Sequence, residues 1–153
     1  MVDLGFRKPT NGVVQGDALG PEFLKVGANA TAAKMLPGIA VVKDTNDFCV
    51  KESDASGNVV IGFLGYELSP NKPATRDTAY AVGDIVAVHR GAGRRQMAYL
   101  TTSQTIVKGQ PLKVTADGYL TAATVGTSDV VGDAAESVTT TSAAAKIWII
   151  TRR

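Results

Sequence analysis

The sequence has very few of the residues on which most catalytic and metal sites depend. Its 153 residues include one cysteine, Cys49, and one histidine, His89. One thiol cannot form an internal disulfide, and one Cys with one His cannot supply the four ligands of a usual zinc site. Cys49 lies between Phe48 and Val50, which favours a packed thiol, and His89 in a predicted strand favours a structural or surface role. We therefore expect no catalytic residue, no metal and no cofactor.

An excess of one charge and a long apolar run are also absent. Sixteen Lys and Arg residues balance fourteen Asp and Glu residues, for a net charge of +2. Such a surface is ordinary and differs from the basic stripe of a dedicated nucleic-acid binder. The apolar run 147–150 is far too short to span a membrane, and the N-terminus lacks the apolar segment of a secretory signal. We expect a protein made in the cytoplasm, with no nucleic-acid and no membrane partner.

What the sequence does have is glycine and β-branched residues, in short apolar runs separated by turn residues. Sixteen glycines and this spacing predict an all-β protein, a compact β-barrel or β-sandwich of about eight short strands. The segment 116–118, Ala-Asp-Gly, predicts a tight hairpin because Asp-Gly tolerates positive φ. The predicted strands are residues 39–43, 59–68, 84–89, 96–101, 111–115, 119–123, 129–132 and 146–151.

The first part of the chain has a different pattern. Glycines and prolines interrupt every periodic run between residues 1 and 34, where the one candidate helix is residues 22–26. This pattern predicts an extended N-terminal arm over residues 1–34, or a mobile terminus with no role, followed by one β-barrel or β-sandwich domain over residues 35–153. An arm of this kind becomes ordered against a neighbour.

Two segments of the chain begin and end alike. They span residues 36–62 and 107–132, and each is framed by two glycines that are separated by 24 residues in the first and 23 in the second: Gly38 and Gly62, Gly109 and Gly132. Residues 81–86 begin like a third unit. We interpret the segments as similar β-hairpin units that curl into one sandwich or barrel.

The densest group of basic residues surrounds one glycine-rich turn. His89, Arg90, Arg94 and Arg95 flank the segment 91–93, Gly-Ala-Gly. The segment starts like a dinucleotide fingerprint, but the sixth position is glutamine and no helix is predicted after it, so it does not predict nucleotide binding. The cluster is either a solvated hairpin tip or a contact for acidic groups, which arginine binds bidentately.

Several glycine-punctuated strand starts carry a family resemblance. They lie at residues 36–42, 60–62, 80–88, 106–112, 117–121 and 131–134. In these segments the chain resembles tailed-phage capsid decoration, or head-stabilising, proteins, which are small β-rich structural proteins encoded among head genes. The resemblance covers about residues 35–151 and leaves residues 1–34 outside it.

The resemblance implies a non-enzymatic function. A protein of this family binds the outer surface of an icosahedral capsid on the virion and stabilises it, with the major capsid protein as partner and as a homotrimer. On this reading we expect capsid or subunit contacts at Phe6, Arg7, Lys8, Arg90, Arg94 and Arg95. The alternatives are a tail or fibre-base virion module, a host-binding β-domain or, less favoured, a β-fold enzyme whose two carboxylates converge in space.

Overall fold

The computed structural model describes residues 21–54, 58–65 and 77–152, which form an all-β structure. The predicted fold class is confirmed, and each of the eight predicted strands is present, with four further strands beside them. The strands are β1 (Glu22–Val26), β2 (Ala40–Lys43), β3 (Cys49–Glu52), β4 (Val60–Leu64), β5 (Ile85–His89), β6 (Arg95–Leu100), β7 (Thr105–Ile106), β8 (Pro111–Val114), β9 (Leu120–Ala122), β10 (Val130–Ala134), β11 (Val138–Thr139) and β12 (Ala145–Thr151); a 3₁₀ turn spans Ala32–Lys34.

The first five strands form a closed barrel, which we call the first barrel. Its strand order is β1-β3-β2-β4-β5, and β5 returns to pair with β1. All neighbours are antiparallel except β1 and β3, which are parallel. Alternate strand residues face the interior, as a pleated strand requires. The interior is filled by Leu24, Val26, Met35, Val41, Val50, Leu64, Tyr80, Val86 and Val88.

Five later strands form a second closed barrel, which we call the second barrel. It contains β6, β8, β9, β10 and β12 in the order β10-β12-β6-β9-β8. Here the parallel pair is β6 with β9. The short strands β7 and β11 pair with each other as a separate two-stranded sheet.

The two barrels have the same topology. When the five strands of each barrel are ranked in chain order, both barrels close as first, third, second, fourth, fifth, with the first and third strands parallel. Both also contain a bulge at the same point of the fourth strand, where the pairing skips Ile61 in β4 and Val131 in β10. The predicted repeat is confirmed, but it builds two barrels and not one. Residues 81–86 do not start a third unit, because they lead into β5, which closes the first barrel.

The framing glycines occupy equivalent places in the two barrels. A Cβ on Gly62 would lie 2.5 Å from the carbonyl oxygen of His89, and a Cβ on Gly132 would lie 2.9 Å from that of Ile150. The fourth strand therefore approaches the fifth too closely for any side chain at this position. This contact explains why both repeats end on glycine.

The first barrel has its own interior cluster, and some of its outward-facing side chains also extend the apolar core of the second barrel. Ala40, Val42, Val60 and Phe63 of the first barrel belong to the same buried cluster as the interior residues of the second barrel. The second barrel also approaches the first through its β8–β9 turn, where the Gly118 carbonyl accepts a 3.0 Å hydrogen bond from the Ala40 amide. The barrels are thus joined by apolar packing and by a main-chain bond.

Strand β1 lies in the segment predicted as an arm. The candidate helix at 22–26 is wrong, because these residues pair with β5 on one side and with β3 on the other. Leu24 and Val26 face the barrel interior, which is the two-residue period of a strand. Residues 1–20 lie outside the described residues, so the arm stays a prediction there.

Candidate interaction surface

The first barrel carries large apolar side chains on its outer surface at β1. Phe23 and Lys25 alternate with the buried residues of β1 and therefore point outward. Ile85 is the register partner of Lys25 on β5, and Phe48 precedes its partner Cys49 on β3. Phe23 is 63% exposed, Phe48 77% and Ile85 44%. We call the surface made by Phe23, Lys25, Phe48 and Ile85 the β1 face.

Main-chain hydrogen bonds hold the turn that carries Phe48 against strand β1. The Lys25 amide donates a 2.8 Å hydrogen bond to the Phe48 carbonyl, which fixes the β2–β3 turn beside β1. Asn46 closes the same turn, since its Oδ1 accepts the Phe48 amide at 3.0 Å. The neighbouring Asp47 pairs with Lys43, which holds the pKa of the Asp47 carboxyl below its usual range. The apolar rings are therefore displayed on a rigid support.

The basic cluster lies at the linker between the barrels. Arg90 forms an ion pair with Glu22 of the first barrel. Arg95 places its guanidinium 4.9 Å from the ring centroid of Trp148 in the second barrel. Trp148 is half-buried beneath this cation. Arg90 and Arg95 thus each contact one of the two barrels.

The linker turn itself is fastened to the end of β12. Gly91 and Gly93 have positive φ, which suits glycine in so tight a turn. The hydroxyl of the buried Thr151 donates a 2.5 Å hydrogen bond to the Gly91 carbonyl and accepts one of 3.1 Å from the Arg94 amide. The position of Arg94 between the barrels is therefore fixed by the main chain.

Two tyrosine rings pack against each other on the second barrel, and one of them, Tyr99, lies close to Gly38 of the first barrel. The Tyr99 and Tyr119 ring centroids are 5.7 Å apart, and the Lys146 ammonium lies 5.6 Å from the Tyr99 centroid. Burial raises the pKa of the Tyr119 phenol. Tyr99 stands on β6 and Tyr119 immediately precedes β9, and the parallel pairing of these two strands brings the rings together from distant parts of the sequence, so spacing alone gave no signal for the pair.

The hollows on the described surface are small, and one of about 280 Å³ is lined by polar residues that include Asn29, Lys43 and Asp44. A groove of about 170 Å³ runs between the barrels, lined by Ser53 and Asn58 on one side and Lys113 and Asp129 on the other. This volume is below the range of about 300–1,000 Å³ that small-molecule sites occupy. Within the described ranges, no group of three or more His, Cys, Asp or Glu side chains could hold a metal ion.

The predicted contact residues divide into two sets. Arg90, Arg94 and Arg95 lie at the inter-barrel linker as described, while Phe6, Arg7 and Lys8 lie outside the described residues. The β1 face was not predicted. Its signal in the sequence is the alternation of Phe23 and Lys25 with Leu24 and Val26, which the neighbouring glycines and prolines obscured.

The chain was compared with protein-family models and with curated proteins, and none of them matches it. Among residues 21–54, 58–65 and 77–152, no helix has the length and hydrophobicity that crossing a membrane requires.

Proposed function

We propose that the chain is a viral structural protein that binds the outer surface of an icosahedral capsid and stabilises it. Its partners are the major capsid protein and further copies of the chain, assembled as a homotrimer on the virion. It works without a catalytic group. The observation that carries this proposal is the β1 face, a set of exposed apolar rings on a rigid double barrel, because such a face suits burial against protein.

The double barrel supports a mechanical role. A cement protein must transmit force between the subunits that it touches, and this requires a body that does not bend between its contact points. The apolar cluster to which both barrels contribute and the bond between Gly118 and Ala40 join the barrels into such a body. Many copies that each add a few kcal/mol then act together on one shell.

The linker arginines support a contact with acidic groups of the shell. Arg94 is the best candidate, because its main chain is fixed and its position lies between the two barrels. A guanidinium can bind a carboxylate through two parallel hydrogen bonds, which gives direction as well as affinity. A contact at this point would bear on both barrels at once.

Co-sedimentation with undecorated shells tests the proposal. The purified protein should pellet with shells of the major capsid protein of the same virus, and binding should saturate at a fixed number of copies per shell. Arg94→Ala should weaken binding about tenfold, as expected for a bidentate interfacial arginine. Lys113→Ala, which removes an exposed cation of the second barrel, serves as the matched control and should bind like the wild type. If the wild-type protein does not pellet with the shells in a saturable way, the proposal is wrong.

A further inference from the structure

We propose that the β1 face binds residues 107–111 of a second copy of this chain. This inference rests on the homo-oligomeric part of the proposed function, and it names the two surfaces that meet. Its basis is the internal repeat, because the counterparts of these two surfaces already meet inside the chain.

The β1 face has an equivalent in the second barrel. The parallel pairs Val26 with Val50 and Leu100 with Leu120 occupy the same place in the two topologies. Val26 is therefore equivalent to Leu100, and Val50 to Leu120. Counting back along the strands from these positions makes Phe23 equivalent to Met97, Lys25 to Tyr99, and Phe48 to Gly118.

In the second barrel this equivalent surface is the one that meets the first barrel. The Gly118 carbonyl accepts the hydrogen bond from the Ala40 amide, and a Cβ on Gly118 would lie 2.4 Å from Cγ2 of Ile39. A Cβ on Gly38 would lie 3.2 Å from the Met97 carbonyl oxygen and 3.5 Å from the Tyr99 ring. The segment of the first barrel that receives the second is thus residues 38–40.

The receiving segment also has an equivalent, and it is open. The pairing of the second strand with the fourth makes Ala40 of the first barrel equivalent to Pro111 of the second, and hence Gly38 equivalent to Gly109. A Cβ on Gly109 would meet no atom of the described chain within 4 Å. Val107, two residues earlier, is 61% exposed. The chain therefore has one binding surface and one receiving surface that its own internal contact leaves unused.

The contact within the chain and the proposed contact between copies differ in chemistry, but each joins two surfaces that fit each other. Within the chain, Gly118 approaches the amide of Ala40 closely and accepts its hydrogen bond. In the second pair, Pro111 has no amide hydrogen to donate, and Phe48 supplies an apolar ring in place of the glycine. A close main-chain contact is thereby replaced by an apolar contact of Phe48 with Pro111 and Val107.

Two different surfaces define a head-to-tail contact. Such a contact is heterologous, so it produces a closed ring when the rotation between copies closes, and an open filament when it does not. A homotrimer is the three-membered ring of this kind. Each copy in a ring uses its β1 face once and its receiving segment once.

The experiment is sedimentation equilibrium in the absence of shells. The wild type should self-associate, and Phe48→Ser and Val107→Ser should each weaken association at least about tenfold. Val125→Ser, at a site 71% exposed in another turn of the second barrel, should associate like the wild type. Because all three substituted side chains are exposed, circular dichroism should show the same fold in each variant.

A mixture of the two defective variants tests the head-to-tail arrangement. The Phe48→Ser chain keeps its receiving segment and the Val107→Ser chain keeps its β1 face, so the mixture should form a dimer with one intact contact. A monomeric wild type overturns the inference, as does a mixture that stays monomeric. Undiminished self-association of Val107→Ser would show that like faces pair, and would also overturn it. None of these outcomes depends on shell binding, so a failure of the proposed function is seen separately.

Discussion

At the residue scale, the structure depends on glycines that permit close approach. Gly118 combines two constraints, since its φ is +75° and its hydrogen atom faces Ile39 and Ala40 of the other barrel. An L side chain would be strained there by the backbone angle and would also overlap neighbouring atoms. Gly126 has only the first constraint, because its φ is +90° and a Cβ would meet nothing within 4 Å. A comparison of substitutions at the two positions therefore distinguishes the cost of backbone strain from the cost of steric overlap.

We expect Gly118→Ala to lower the free energy of unfolding by about 2–4 kcal/mol, from strain and overpacking together. Gly126→Ala should cost about 1 kcal/mol, from strain alone. Urea unfolding of both variants, at a concentration where the protein is monomeric, measures the difference. Equal losses would mean that the approach of Gly118 to the first barrel contributes nothing to stability.

At the scale of elements, the fourth and fifth strands of each barrel meet at a glycine. The contact is tighter in the first barrel, where a Cβ on Gly62 would also lie 2.7 Å from a methyl of Val88. In the second barrel the neighbouring Ile149 side chain is 3.3 Å from the corresponding position. The fourth and fifth strands thus approach each other closely in both barrels, but the distance is shorter in the first barrel.

Gly62→Ala and Gly132→Ala should both destabilise the protein, by about 1–3 kcal/mol as overpacking usually does. The loss should be larger for Gly62→Ala because the carbonyl oxygen of His89 is closer than that of Ile150. Thermal unfolding followed by circular dichroism ranks the two variants. A neutral effect at both positions would contradict the view that this strand contact requires glycine.

The strand contact also shows what the sequence could reveal. Glycines with positive φ or no room for a side chain recur at fixed places, so the repeat was visible through Gly38 and Gly109, and through Gly62 and Gly132. Strand β1 was not visible, because its partners Cys49 and Ile85 are distant in sequence and flanking glycines and prolines suggested an arm. The alternation within β1 indicates which of its side chains point outward, but Phe48 and Ile85 join them in the β1 face only through these long-range pairings, which no local pattern encodes.

At the scale of the whole molecule, the apolar cluster to which both barrels contribute should make them unfold together. Phe63 is 3% exposed, and it projects from the first barrel into the cluster that contains the interior of the second. The chain also has a natural reporter in each barrel, because its one tryptophan, Trp148, stands on β12 and its one cysteine, Cys49, on β3.

Denaturation followed by Trp148 fluorescence and by Cys49 thiol reactivity should give coincident transitions in the wild type. Phe63→Ala should lower the free energy of unfolding by about 3–5 kcal/mol and move both transitions together. Phe23→Ala, which truncates an exposed ring of the same barrel, is the matched control and should change stability by less than about 1 kcal/mol. If the thiol becomes reactive at a clearly lower denaturant concentration than the one at which the tryptophan signal changes, the barrels unfold independently. The shared cluster would then not supply the rigidity that a shell-stabilising protein requires.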